Sequence, residues 1–239
     1  MYRPALAMVA ATVATFVVPS TALALQPIEV FLSGARSNHP DALASDATYR
    51  QRFRAAFGTE QIDSTLVTRA LAQFVRSLVS FDSPFDRYWY GGDSTAMSEE
   101  AQNGLSLFTS QGKCAGCHAP GLFTDHALRN NGLDVVLSDA GFGAVTGDPA
   151  DMGKFKVPTL RNIAVTAPYM HDARFATLEQ VLNHYNGGVH MASPNVDLLM
   201  DFWGMNPTPF SADEINDLSA FLNALTDASF LTDPALAQP

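Results

Sequence analysis

Cysteine is almost missing from this chain: among 239 residues there are two, Cys114 and Cys117. A structural zinc site would need two further ligands to close a tetrahedron, and there is no second Cys pair. His184 and His190 have H-x5-H spacing but lie far beyond the short gap of a zinc finger. Basic residues are also scarce, with 14 Lys and Arg against 24 Asp and Glu, a net charge of −10 and a pI near 4.8. That balance argues against nucleic acid and against an anionic membrane surface as partners. No internal repeat, low-complexity run or strand-rich region is present. The uncharged apolar run Ala5 to Val18 is too short to span a bilayer. What remains, 47% hydrophobic and 16% charged residues, reads as a globular chain of one or two domains with a sizeable core.

The two cysteines stand in Cys114-Ala115-Gly116-Cys117-His118. This is C-x-x-C-H, the attachment signature of a c-type haem. Two thiols three positions apart can add to the two vinyl groups of one porphyrin, and the following His then faces the iron. A redox disulfide would not need His118 and would sit near a βαβ pattern. One covalent haem c per chain is the expectation, with His118 as proximal ligand.

The first residues read as a targeting segment. Arg3 gives a short positive start, the apolar run follows, Pro19 and Ser20 break it, and Ala22-Leu23-Ala24 is an A-x-A cleavage site. Residues 1–24 are expected to be a secretory signal peptide and the protein to be periplasmic, with no membrane span after cleavage. Bacterial haem c attachment takes place outside the cytoplasm, so the signal and the motif support each other.

Beyond the signal, the pattern predicts a mainly α fold. Residues 25–45 read as loop with one short turn. One helix is expected from about Asp46 to Phe57, with Gly58 as its stop, and another from about Ser64 to Ser80 on the stripe Leu66, Val67, Leu71, Phe74, Val75, Leu78 and Val79. Phe81 to Thr95 reads as an aromatic-rich loop in which Trp89 is a candidate electron relay. Ser98 caps a helix that runs to near Gly112. Residues 119–156 read as loops wrapped over a flat cofactor. Thr177 with Gln180, and Ser211 with Glu214, form capping boxes for helices ending near Tyr185 and Leu225. Phe108 and Phe221 are the expected pair where the helix before the motif crosses the last helix.

Four blocks now carry a resemblance: YRQRFRAAFG with LVTRALAQFVRSLVSFDSPFDRY, GLSLFTSQGKCAGCH, KVPTLRNIAVTAPYMHDARFATLEQVLNHY, and ADEINDLSAFLNALT. In this order they resemble bacterial di-haem cytochrome c peroxidases and their MauG relatives, in particular the C-terminal haem domain. The resemblance implies a helical remnant of the family's N-terminal domain over 25–95, a helical hairpin, and a cytochrome c-like haem domain over 96–239. Family members carry two haems, each on its own C-x-x-C-H, whereas this sequence has one such motif. Glu29 in QPIEV resembles the family's distal acid. The family's sixth iron ligand, Met in the electron-accepting peroxidases and Tyr in the MauG type, falls on Tyr185. Met191, Met170, Met205, His184 and His190 remain alternatives. Arg161 in PTLRN is the candidate partner of a haem propionate, against a role capping loop carbonyls; Lys156 and Arg174 are further cations near it. Thr166 and Pro168 fall where the family binds an interdomain Ca2+ through backbone carbonyls. His171 in PYMHD reads as a loop histidine.

Three functions follow as expectations. The first is a peroxidase or MauG-like oxidase, with electrons passing to or from a second haem domain or subunit. The second is a mono-haem cytochrome that exchanges electrons with a small cytochrome or cupredoxin and has no peroxidase activity of its own. The third is a haem-binding subunit or fragment without turnover.

Overall fold

The structure is a computed structural model that describes residues 40–200 and 209–236. The expected signal segment, Glu29 and Met205 lie outside the described residues. The described chain is mainly helical and divides into two compact units, one running up to Val79 with residues from Ser229 on, the other Ser80–Ala228.

In the first unit, α1 (Pro40–Ser45), α2 (Ala47–Phe57) and α3 (Ser64–Ser77) follow closely. Asp46 opens α2 by accepting from Thr48 N, which satisfies an otherwise unpaired first-turn N–H. Gly58 closes it with φ 75°, a left-handed turn open to glycine at no steric cost. Asp63 caps α3 through Leu66 N. Leu43, Phe53 and Ile62 form the buried cluster, with Tyr49, Phe57, Leu66 and Val67 against it. α1 replaces part of the expected loop, and α3 ends at Ser77, short of Ser80. Val75 and Val79, expected on the buried stripe, are exposed, because the cluster gathers at the other end of α3.

The second unit begins with a helix that the sequence reading took for a loop: α4, Pro84–Trp89. Ser83 and Asp86 close a capping box around it and Pro84 starts it, where a missing N–H costs nothing. Phe85 is fully buried within this unit, so residues 80–95, expected to go with the preceding helices, pack with the haem motif instead. α5 (Glu99–Thr109) is capped by Ser98, with Glu99 and Glu100 in its first turn, and stops one turn before the motif. Two short strands, β1 (Leu128–Arg129) and β2 (Phe155–Lys156), pair antiparallel with Leu128 opposite Lys156. They flank the short helix α6 (Gly143–Thr146). α7 (Leu178–Asn183) and α8 (Ala212–Asn223) open on the expected capping boxes of Thr177 with Gln180 and Ser211 with Glu214.

α5 and α8 cross over the core of this unit. The crossing is close because residue 104 is glycine: a Cβ there would collide with the Asp217 carbonyl and stand 2.8 Å from Phe221 Cβ. Phe108 and Phe221 meet with ring centroids 5.0 Å apart, the pair the sequence predicts. Phe85 and Phe123 complete the group, with centroids 5.0 Å apart and planes at 72°. Phe85, Phe123 and Phe221 are 0% exposed, so the four rings form a dry block directly behind the haem motif.

Candidate haem site

Cys114–Gly116 forms a single 3-10 turn. Cys117 N and His118 N both donate to Cys114 O, at 3.1 and 2.8 Å, which brings the two thiols and the imidazole onto one turn. Gly112 gives the turn room, since a Cβ there would stand 3.1 Å from Cys114 Sγ and 2.8 Å from Leu107 O. The cysteines are unpaired with each other. Burial pushes the Cys114 thiol up to about 12, and it raises Cys117 as well.

His118 Nδ1 lies 2.8 Å from the carbonyl of Phe123. A ring N–H aimed at a carbonyl fixes the orientation of an imidazole and leaves Nε2 as the nitrogen for a metal. Burial lowers the pKa of His118, with the Phe123 carbonyl acting in the opposite sense, so the neutral form that metals require is favoured. Phe123 takes φ 53° and its N–H donates to Ala119 O at 3.0 Å; its ring sits in the dry block described above. His118 is thus tied through one carbonyl to the packed core of the unit.

A second wall is built from loops. After α7 the chain widens into a π turn, His184–Gly188, which carries Tyr185. Asn186 anchors that turn, its side chain exchanging hydrogen bonds with both the N–H and the carbonyl of Phe210. The Tyr185 hydroxyl accepts from Asn131 Nδ2 at 3.2 Å. Burial raises its pKa, the Asn131 bond lowers it, and the charge of Cys114 and Cys117 raises it further. Met170, in a left-handed turn at φ 72°, has its sulfur 3.6 Å from the same Asn131 nitrogen. His184 is buried, with Nε2 3.3 Å from Asn131 O, and burial lowers its pKa. His190 joins this wall through its backbone, His190 N donating to Gly132 O. Met191 is partly buried in the turn that follows. Tyr185, Met170 and His184 therefore converge on one residue, Asn131. Sequence reading had passed over it as part of an Asn-Asn-Gly loop.

Arg161 lies in a buried ion pair with Asp86, at 2.9 Å to each carboxylate oxygen. It also donates to Gly121 O and Ser80 O and stacks on Phe81, 4.3 Å from the ring centroid. A rigid fork matched to a carboxylate and two carbonyls has one donor left over. The reading of Arg161 as a cap on loop carbonyls is the one the geometry carries. Burial opposes the charge on Asp86, but hydrogen bonds from Arg161 and Ser83 outweigh it and hold the carboxyl below its usual value. Arg174 pairs with Asp134 and Asp172 at the surface. His171 stacks on Phe155, centroids 3.9 Å apart, as a packed loop histidine. Trp89 is half-exposed and stacked on Phe85. The Thr166 hydroxyl donates to Ile163 O, and Pro168 follows a cis peptide bond. Among the described residues no group of three or more His, Cys, Asp or Glu stands ready to hold a metal ion. No described helix is long and apolar enough to cross a membrane.

The donor set fits a haem c. Two thiols and a carbonyl-oriented imidazole share one turn, and a half-buried phenol, Tyr185, is held by Asn131. This is the site of a c-type haem protein. The comparisons narrow the class. The sequence profile described as di-haem cytochrome c peroxidase matches residues 14–95. The methylamine utilization protein MauG of Methylorubrum extorquens is 40% identical over 79% of this chain and 52% of its own length. The cytochrome c551 peroxidase of Nitrosomonas europaea is 35% identical over 77% of this chain and 51% of its own length. Among solved structures, a MauG-like protein associated with microbial copper homeostasis shares 34% identity at a TM-score of 0.70, covering 83% of this chain and 64% of that one. The diheme peroxidase BthA of Burkholderia thailandensis, at 22% identity and a TM-score of 0.61 over 82% of this chain and 63% of its own, shares the fold. The chain belongs to the di-haem cytochrome c peroxidase and MauG family, a family of haem c oxidoreductases. It spans about half the length of the curated relatives it matches.

Proposed function

We propose that this chain is an exported haem c protein whose site exchanges single electrons in support of peroxide reduction or oxidation of a partner. The observation that carries the reading is the pairing of C-x-x-C-H with a His118 imidazole held by the Phe123 carbonyl. When bound, a haem c supplies a one-electron Fe(III)/Fe(II) couple. Cys114 and Cys117 would hold it covalently, and His118 Nε2 and Tyr185 would hold its iron. A phenolate oxygen favours Fe(III) and lowers the potential, whereas a thioether from Met170 or Met191 favours Fe(II). The dry ring block behind His118 keeps water from the proximal side.

One haem per chain follows from the one C-x-x-C-H. If His118 and Tyr185 both hold the iron, the site would carry electrons and would offer H2O2 no open position. Reduction of one H2O2 to two waters consumes two electrons and two protons. The electrons come one at a time from a reduced small cytochrome or cupredoxin, and peroxide chemistry proceeds at a second haem domain or subunit. Glu29 is the proposed acid of that second site. Ca2+ held through the carbonyls of Thr166 and Pro168 is proposed as a structural ion. The test is steady-state H2O2 turnover by the purified protein with a reduced small cytochrome as donor, alongside stopped-flow haem reduction by that donor. Fast haem reduction with slow turnover supports the reading. Robust turnover by the chain alone, abolished by Glu29→Gln, sinks it.

A further inference from the structure

Asn131 stands where three candidate iron ligands meet, and it lies outside every quoted motif. Its Nδ2 donates to the Tyr185 hydroxyl at 3.2 Å and to the Met170 sulfur at 3.6 Å. Its own carbonyl faces His184 Nε2 at 3.3 Å. An amide nitrogen has two hydrogens, so both acceptors are served at once.

The loop holds Asn131 firmly. On one side Asn130 is buried, donating from its side chain to Ser193 Oγ at 3.0 Å and Pro194 O at 2.7 Å. The Asn130 side chain also accepts from Gly132 N at 2.8 Å, and Asp197 N donates to Asn130 O at 2.9 Å. On the other side His190 N donates to Gly132 O at 2.8 Å. Met170 is likewise fixed, in a turn closed by the Tyr169 and Phe175 main chains. The amide is thus presented by a pinned backbone to two side chains that are themselves placed.

We infer that Asn131 is the positioning residue that decides whether oxygen or sulfur takes the sixth position on the iron, favouring Tyr185 and holding Met170 aside. The inference rests on the haem reading above. Its physical basis is the inequality of the two acceptors. A phenolate oxygen is charged and gains strongly from an N–H donor, while a thioether sulfur is a weak acceptor. Removing the donor therefore penalises Tyr185 as ligand far more than Met170. The same bond that keeps the Met170 sulfur on Asn131 keeps it away from the metal, so its loss also releases the competitor.

The experiment uses the full-length haem-loaded protein and reads Fe(III) absorption and EPR spectra together with the midpoint potential. Wild type should show an oxygen-ligand spectrum, and Tyr185→Phe should change it. Asn131→Leu, close in shape but without N–H groups, should gain a sulfur-to-iron charge-transfer band at the red end and shift the potential upward. Adding Met170→Leu to Asn131→Leu should remove that band, while Met170→Leu alone should leave the wild-type spectrum. Asn131→Thr, which keeps a donor, should stay close to wild type. If Asn131→Leu fails to take up haem, Asn131→Ala gives the same test, since it removes the donor without adding charge. A wild-type spectrum and potential in both Asn131→Leu and Asn131→Ala, with Tyr185→Phe still altering the spectrum, overturns the role of Asn131 and leaves Tyr185 as ligand. An unchanged Tyr185→Phe spectrum instead overturns the ligand assignment on which the inference stands.

Discussion

The two walls of the site are built by different means. Behind His118 lie α5, α8 and four interlocked aromatic rings, and the histidine is oriented by a main-chain carbonyl. The other wall is made of loops with left-handed turns at Met170 and Gly132, and there Tyr185 is oriented by a side chain. A carbonyl contact survives any substitution that keeps the backbone in place. A side-chain contact does not. The contrast teaches that the His118 wall rests on packed core and backbone, while the Tyr185 wall can be altered by one residue.

The sharpest way to break that contrast is to damage the proximal wall. Arg161→Met should leave Asp86 charged and buried without its partner and cost about 3–5 kcal/mol of stability, measured by urea unfolding. The Fe(III) spectrum should stay as in wild type, because no iron ligand is touched; a changed spectrum would restore Arg161 as a propionate partner. Phe221→Ala should cost a similar amount, about 3–5 kcal/mol, through the cavity left among Phe85, Phe108 and Phe123. A loss under about 1 kcal/mol would mean the ring block is not the rigid element described here.

Acid should act on the same wall. The Asp86 carboxyl titrates lower in the folded chain than in the unfolded one, so at low pH the unfolded state binds more protons. Its stabilisation is complete above the ordinary value of 3.8 and fades as pH falls through the lower folded value. Unfolding midpoints followed below pH 4 should drop less in an Asp86→Asn variant than in wild type, the variant being weaker at neutral pH.

The distal wall should respond least in stability. Arg174 pairs with Asp134 and Asp172 where all three side chains are about 30% exposed, so Arg174→Met should cost no more than about 1 kcal/mol by the same denaturation assay. A loss as large as that of Arg161→Met would erase the difference between the walls.

Much of this was legible from local pattern. The caps at Thr177 and Ser211 are read from residues three apart, that at Ser98 from the acids following it, and the Phe108 and Phe221 pair from the helix crossing common to small c-type cytochromes. α4 was missed although its signal is local: Ser83, Pro84 and Asp86 are a capping box with proline at its start, hidden by the aromatics around it. The partners of Arg161 and Tyr185 were not legible. Asp86 is 75 positions from Arg161, and Asn131 is 54 from Tyr185. No periodicity links residues so distant, and a guanidinium expected to meet a cofactor carboxylate met a protein one. The short β1–β2 ladder escaped for the same reason, since two residues per strand leave no alternation to read.

The crossing of α5 and α8 also sets an order in time. A chain emerges from its N-terminal end, so Cys114, Cys117 and His118 are made before α8 exists. Until α8 arrives and Phe221 drops between Phe85, Phe108 and Phe123, the turn that carries the thiols has no back wall. The attachment motif is thus born open and is sealed from behind only later, by a helix that Gly104 lets approach to touching distance.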